Sequence, residues 1–129
     1  MEKLKMGILA CGGIAGIMAD TISHMEQVEM VAAGARDYDR AKKFADQYGF
    51  KRAYGSYEEL VADEEVELIY VASPHSHHYE HIKLCLEHGK HVLCEKAFTV
   101  NAKQAVEVLK LAKEKKLLLT DGMWVRDFE

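Results

Sequence analysis

The sequence predicts an α/β domain built as a three-layer, doubly wound parallel sheet. Short apolar runs recur from end to end, stretches of helical period separate them, and a glycine-rich turn follows the first run. Runs apolar on both faces suit parallel strands buried between helical layers, and steady alternation of strand and helix suits right-handed crossovers.

The apolar runs lie at 6–10, 30–33, 68–72, 92–94 and 117–119, with a weaker one at 52–54. Between the first two, Ile14, Ile17, Met18 and Ile22 fall on one helical stripe. The second helix carries Ala41, Phe44, Ala45 and Tyr48, the fourth Ile82, Cys85 and Leu86, and the last Ala105, Leu109 and Ala112. Each stripe is expected to face the sheet. Start signals agree with this division. Asp37 can cap the second helix, Ser56 with Glu59 has capping-box spacing, and Asn101 with Gln104 is a looser version.

At 129 residues and 14.6 kDa the chain is one domain's worth, expected to span 1–129. With 49% apolar and 29% charged residues it can bury a core, which excludes disorder. A net charge of −4 and a pI near 6.0 argue against nucleic acid as a partner. No run of about 18 apolar residues offers a membrane span, and Pro74 is the one proline, which leaves no Pro-rich linker. Cys11, Cys85 and Cys94, odd in number and widely spaced, suit a reducing, cytoplasmic compartment. Lys3 and Lys5 before an apolar stretch mimic a secretory signal, but Gly7, Gly12, Gly13 and Gly16 break that stretch.

In doubly wound sheets ligands gather outside the carboxyl ends of the strands, where strand order reverses. The first loop there reads Ala10-Cys11-Gly12-Gly13-Ile14-Ala15-Gly16. Aligned to the dinucleotide pattern G-x-G-x-x-A, Ala10 stands for the turn-forming glycine, Gly12 lets the backbone approach a pyrophosphate, and Ala15 permits close helix packing. The N–H groups of Gly13 and Ile14, at the positive end of the helix, are expected to face the phosphates. The second strand ends in Gly34-Ala35-Arg36-Asp37. Ala35, 23 positions after Gly12, stands where an acidic residue would bond the ribose 2′-hydroxyl of NAD, and it has no group to do so. Arg36 offers a planar cationic fork to a 2′-phosphate, which favours NADP over NAD as the cofactor. A small-residue turn that serves only packing, with Arg36 solvated, is the plainer alternative.

The loops after the fourth and fifth runs read Ser73-Pro74-His75-Ser76-His77-His78-Tyr79-Glu80-His81 and Glu95-Lys96-Ala97-Phe98. With the glycine-rich turn, the stretch Gly89-Lys90-His91-Val92-Leu93-Cys94-Glu95-Lys96 and the ending Met123-Trp124-Val125-Arg126, they resemble the glucose-fructose oxidoreductase and inositol dehydrogenase (Gfo/Idh/MocA) family. The resemblance is greatest to its dihydrodiol-dehydrogenase subgroup and runs from about Lys5 to Arg126. It implies a Rossmann domain that binds a nicotinamide dinucleotide, in an oxidoreductase that exchanges hydride with an alcohol carbon of a sugar, polyol or dihydrodiol. The lysine of the family's E-K-P motif falls on Lys96, near the nicotinamide and the substrate hydroxyl, so Lys96 is the expected catalytic residue. A lysine beside a cationic ring loses its proton more readily and can then take one from an alcohol. Ser73, Pro74, His75, His78, Glu95, Lys96, Trp124 and Arg126 join Ala10, Gly12, Gly13, Ile14 and Arg36 as the expected cofactor contacts.

The chain departs from the family pattern at Ala97 in place of proline, Ala10 in place of the first glycine, His75 in place of the usual asparagine, and Arg126-Asp127-Phe128 in place of an uninterrupted R-F. Family members add an α+β domain for substrate and oligomer contacts, which is absent from these 129 residues. The expectation is therefore the cofactor half of an oxidoreductase, taking a small-molecule substrate only beside a second domain. Without that cover, 117–119 with Met123, Trp124 and Phe128 are expected to form an exposed apolar patch through which the chain self-associates. His77 and His81 have the i, i+4 spacing of a zinc pair but no H-E-x-x-H or C-x-x-C pattern beside them, so solvated helix-end histidines and no metal are expected. A non-catalytic nucleotide-binding or interaction module is the other reading of the same fold.

Overall fold

Six short strands carry the apolar runs: β1 (Leu4–Leu9), β2 (Val28–Gly34), β3 (Arg52–Tyr54), β4 (Leu68–Val71), β5 (His91–Cys94) and β6 (Leu119–Asp121). In this computed structural model, which describes residues 4–10, 16–17, 19–20, 28–72, 78–94, 102–117 and 119–121, they form one sheet in the order β3-β2-β1-β4-β5-β6. Every neighbouring pair is parallel. The crossovers carry α1 (Tyr38–Tyr48), α2 (Tyr57–Val61), α3 (His78–Glu87) and α4 (Ala102–Glu114), and the described residues between β1 and β2 are also helical. This is the doubly wound α/β sheet that the alternation predicts.

Alternate strand residues feed two cores. Ile8, Tyr70 and Leu93 meet Ala19, Phe44, Ala45 and Phe50 on one face, while Leu9, Ile69 and Val71 meet Leu60, Ile82, Leu86 and Val108 on the other. The helical segment after β1 and α1 thus cover one face, and α2, α3 and α4 cover the other. Burial on both faces is why these runs are apolar without alternation. At the end of β2, a Cβ added to Gly34 would lie 3.0 Å from the Leu60 side chain, so the glycine lets α2 settle on the sheet.

The capping reading holds where it is described. Asp37 Oδ1 accepts from the Asp39 N–H at 3.1 Å, and Ser56 Oγ accepts from the Glu59 N–H at 3.2 Å while bonding Glu59 Oε1 at 3.0 Å. The cap expected at Asn101 lies outside the described residues. Gly89, at φ 76°, closes α3, with its own N–H on Leu86 O and the Lys90 N–H on Cys85 O.

Three expectations are corrected. Ile17 is 72% exposed, so Ala19 rather than Ile17 faces the core from this segment. On α4 the inward stripe is Val108 and Ala112, whereas Leu109 is 46% exposed. Two helical phases share Ala112, and the packing against α3 selects the one with Val108. The last strand begins at Leu119, two residues later than the apolar run suggests, because Leu117 still belongs to the helix end: Lys116 turns left-handed at φ 58° and the Leu117 N–H bonds Ala112 O at 2.8 Å. Leu117 is half-buried against the core instead of lying in an open patch, and Met123, Trp124 and Phe128 lie outside the described residues.

The amino edge of the sheet is tied by charge. Arg52 donates from Nε to Asp63 Oδ2 at 2.8 Å and also pairs with Glu65, the Tyr54 hydroxyl donates to Asp63 at 2.7 Å, and the Glu65 N–H donates to it at 2.9 Å. Lys51 bridges Glu29 at 2.7 Å and Glu65 at 3.2 Å. Lys90, buried before β5, donates from Nζ to the carbonyls of Asp63 and Val66, both at 2.7 Å. Burial pushes the Lys90 ammonium below its ordinary range, and the charge of Asp63 opposes that shift.

Candidate functional site

Strand order reverses between β1 and β4, and the carboxyl ends of β1, β2 and β4 are tied there by their backbones. The Ala10 N–H donates to Gly34 O at 2.9 Å, the Ala35 N–H to Tyr54 O at 3.1 Å, and the Ala72 N–H to Leu9 O at 2.9 Å. Each strand therefore passes one further residue in register with its neighbour before its loop begins. Ala10 sits at φ 80°, the left-handed region that favours glycine. The turn keeps the conformation of the glycine it lacks, held by the bond to Gly34 and by contact of Ala10 with the core. Past the turn, a Cβ on Gly16 would lie 2.8 Å from the Tyr48 hydroxyl, so the helical segment comes close to the end of α1.

At the end of β2 lies a cavity of about 430 Å³, between the loop after β2, the loop after β3 and α3. Arg36 lines it from the β2 side, Ser56, Tyr57 and Glu58 from the start of α2, and Glu80, His81 and Leu84 from α3. Ala35, next to Arg36, is buried. Arg36, Glu58 and Glu80 are exposed, and among the described residues no ion pair joins Arg36 to either carboxylate. His81 is a correction to the expected solvated histidine: it is 7% exposed, and the Tyr57 ring meets it edge-on with centroids 4.8 Å apart. Among the described residues no three His, Cys, Asp or Glu side chains could hold a metal ion together.

Of the expected site residues, Ala10 and Arg36 are described in full and His78 as the first residue of α3. Gly12, Gly13, Ile14, Ser73, Pro74, His75, Glu95, Lys96, Trp124 and Arg126 lie outside the described residues. Sequence reasoning missed the cavity wall of Tyr57, Glu58, Glu80 and His81. Its one signal was the Ser56 cap, which fixes where α2 begins and hence which residues meet α3.

A switch-point turn opened by a left-handed residue, with a cavity that Arg36 lines at the next strand end, fits a doubly wound domain of the nucleotide-binding type. The family model described as "Oxidoreductase family, NAD-binding Rossmann fold" matches residues 4–123. The chain belongs to this family, Gfo/Idh/MocA, as the motifs suggested. Over 97% of its length it is 45% identical to a D-xylose 1-dehydrogenase (NADP(+)) of Hypocrea jecorina and 40% identical to a trans-1,2-dihydrobenzene-1,2-diol dehydrogenase of Mus musculus. The chain covers 35% and 38% of those two proteins, so it spans well under half of either. Among solved structures it is similar to KijD10, a 3-ketoreductase from Actinomadura kijaniata in complex with TDP-benzene and NADP, with a TM-score of 0.89, 32% identity and cover of 93% of this chain and 38% of that one. Among the described residues no helix is long and apolar enough to cross a membrane.

Proposed function

We propose that the chain is the coenzyme-binding unit of an NADP-dependent oxidoreductase acting on an alcohol carbon of a sugar, polyol or dihydrodiol. The end of β2 carries the choice of coenzyme: Ala35 is buried without a carboxylate for a ribose hydroxyl, and Arg36 lines the adjacent cavity. The cavity has the size of a nucleoside site, and a guanidinium fork matches a 2′-phosphate. The bound nicotinamide supplies the hydride acceptor or donor.

The chain's own residues bind, orient and move the proton. Gly12 lets the backbone approach the diphosphate, and the N–H groups of Gly13 and Ile14 hold it. Ser73, Pro74, His75 and His78 after β4, Glu95 after β5, and Trp124 with Arg126 border the nicotinamide end. Lys96 takes the proton from the substrate hydroxyl as hydride leaves the carbon. The names of the relatives support sugar and dihydrodiol substrates, which a second domain beyond these residues would help select. The cysteine pattern supports a cytoplasmic setting, and exposed Val106 and Leu109 on α4 support self-association.

Titration of NADP and NAD into the purified protein tests the reading. NADP is expected to bind more tightly, and Arg36→Ala to weaken NADP by about ten- to a hundredfold while changing NAD by less than about twofold. Equal losses for both coenzymes would refute the role of Arg36. Binding of neither would leave an interaction module on a Rossmann scaffold.

A further inference from the structure

The charge balance of the cavity goes beyond the role of Arg36. NADP and NAD differ by one phosphate, which carries close to two negative charges at neutral pH. The cavity that holds Arg36 also holds the carboxylates of Glu58 and Glu80, one from each of two different helices. Among the described residues no ion pair neutralises either of them, and both are exposed to the space that Arg36 faces. We propose that Glu58 and Glu80 are specificity-determining residues that oppose the 2′-phosphate and hold the preference for NADP below what Arg36 alone would give. The inference rests on the coenzyme reading above, since it concerns the same cavity.

Each glutamate also has a local structural reason to exist, because it lies in the first turn of its helix, where the backbone favours a negative charge. That role alone would leave the ratio of the two coenzymes unchanged. Repulsion from the phosphate acts on NADP and spares NAD, and it weakens as salt screens the cavity over about 8–10 Å. Like charges that face each other across a solvent-rich cavity change an affinity by about a few-fold each.

The test measures the dissociation constants of NADP and NAD by fluorescence titration in wild type, Glu58→Gln, Glu80→Gln, the double variant and Arg36→Ala. Each glutamine variant is expected to tighten NADP about threefold at low salt and the double variant about tenfold, with NAD unmoved and the gain lost in about 1 M salt. Tightening of both coenzymes alike, or of neither, would overturn the inference even while Arg36→Ala lowers the NADP preference. Should Arg36→Ala leave that preference intact, the coenzyme reading itself fails and the inference falls with it. Far-UV circular dichroism of each variant, matched to wild type, assigns the changes to the cavity.

Discussion

At the amino edge Asp63 accepts four hydrogen bonds, from Arg52 twice, Tyr54 and the Glu65 backbone, and Lys90 donates two more to loop carbonyls. At the carboxyl edge the bonds described are backbone bonds of Ala10, Ala35 and Ala72, and the charges of Arg36, Glu58 and Glu80 share a cavity with no ion pair to one another among the described residues. A charge taken out of water has to be satisfied by the protein itself, as Asp63 and Lys90 are. One left at a solvent-filled cavity keeps its capacity for a ligand. The same sheet is therefore fastened by side chains at one end and left adaptable at the other.

Breaking the fastened edge is expected to have the largest effect. Lys90→Met removes the donor to Asp63 O and Val66 O and leaves both carbonyls in a buried place without it. The expected loss is about 2–4 kcal/mol of stability, read from urea unfolding. Coenzyme affinity of the folded variant should stay close to wild type, since Lys90 lies at the opposite edge from the cavity. A loss of stability under about 0.5 kcal/mol would show that water replaces the lysine and that the edge is not fastened there.

Asp63 gives the next largest effect and a pH dependence. Burial pushes its carboxyl up, but the donors from Arg52, Tyr54 and the Glu65 backbone outweigh that and hold it below the usual carboxylate range. A group whose value is depressed in the folded state stabilises fully above its unfolded value and ceases to do so as pH falls through the folded one. Wild type is thus expected to lose stability steeply below pH about 4, whereas Asp63→Asn starts about 2 kcal/mol lower at neutral pH and shows a shallower acid slope. Parallel acid slopes would mean that other carboxylates dominate. The more exposed pairs of Lys51 contribute little by comparison.

The contrast between the edges also marks what the sequence could reveal. The strands follow from local pattern: 30–33 and 68–72 are apolar on both faces because both faces are covered, and that is visible in any window of five residues. The candidate turn was equally local, from Ala10 to Gly16. Features that need two distant segments were not legible. Lys90 reads as part of a surface-like Gly-Lys-His turn, and its burial exists only because the loop before β4 folds over it. His81 reads as one of a solvated cluster until the chain from β3 brings Tyr57 against it. On α4, Val108 and Leu109 are adjacent apolar residues, and only the neighbouring helix decides which turns inward.

The smallest expected effect sharpens the comparison at the carboxyl edge. Ala10 occupies φ 80°, a conformation that disfavours any residue with a Cβ by about 1–2 kcal/mol. Ala10→Gly removes that strain, but the glycine also gains freedom in the unfolded chain, which offsets about 0.5–1 kcal/mol. It loses a methyl group packed on the core as well. The balance is a change within about 1 kcal/mol, stabilising if strain dominates. The more telling measurement is coenzyme affinity. If the alanine already holds the turn in the geometry a glycine would take, the NADP dissociation constant should move by less than about threefold. A tenfold gain would mean that the alanine distorts the turn beyond its own dihedral angles, and that the adaptable edge, unlike the fastened one, is strained until a ligand sets it.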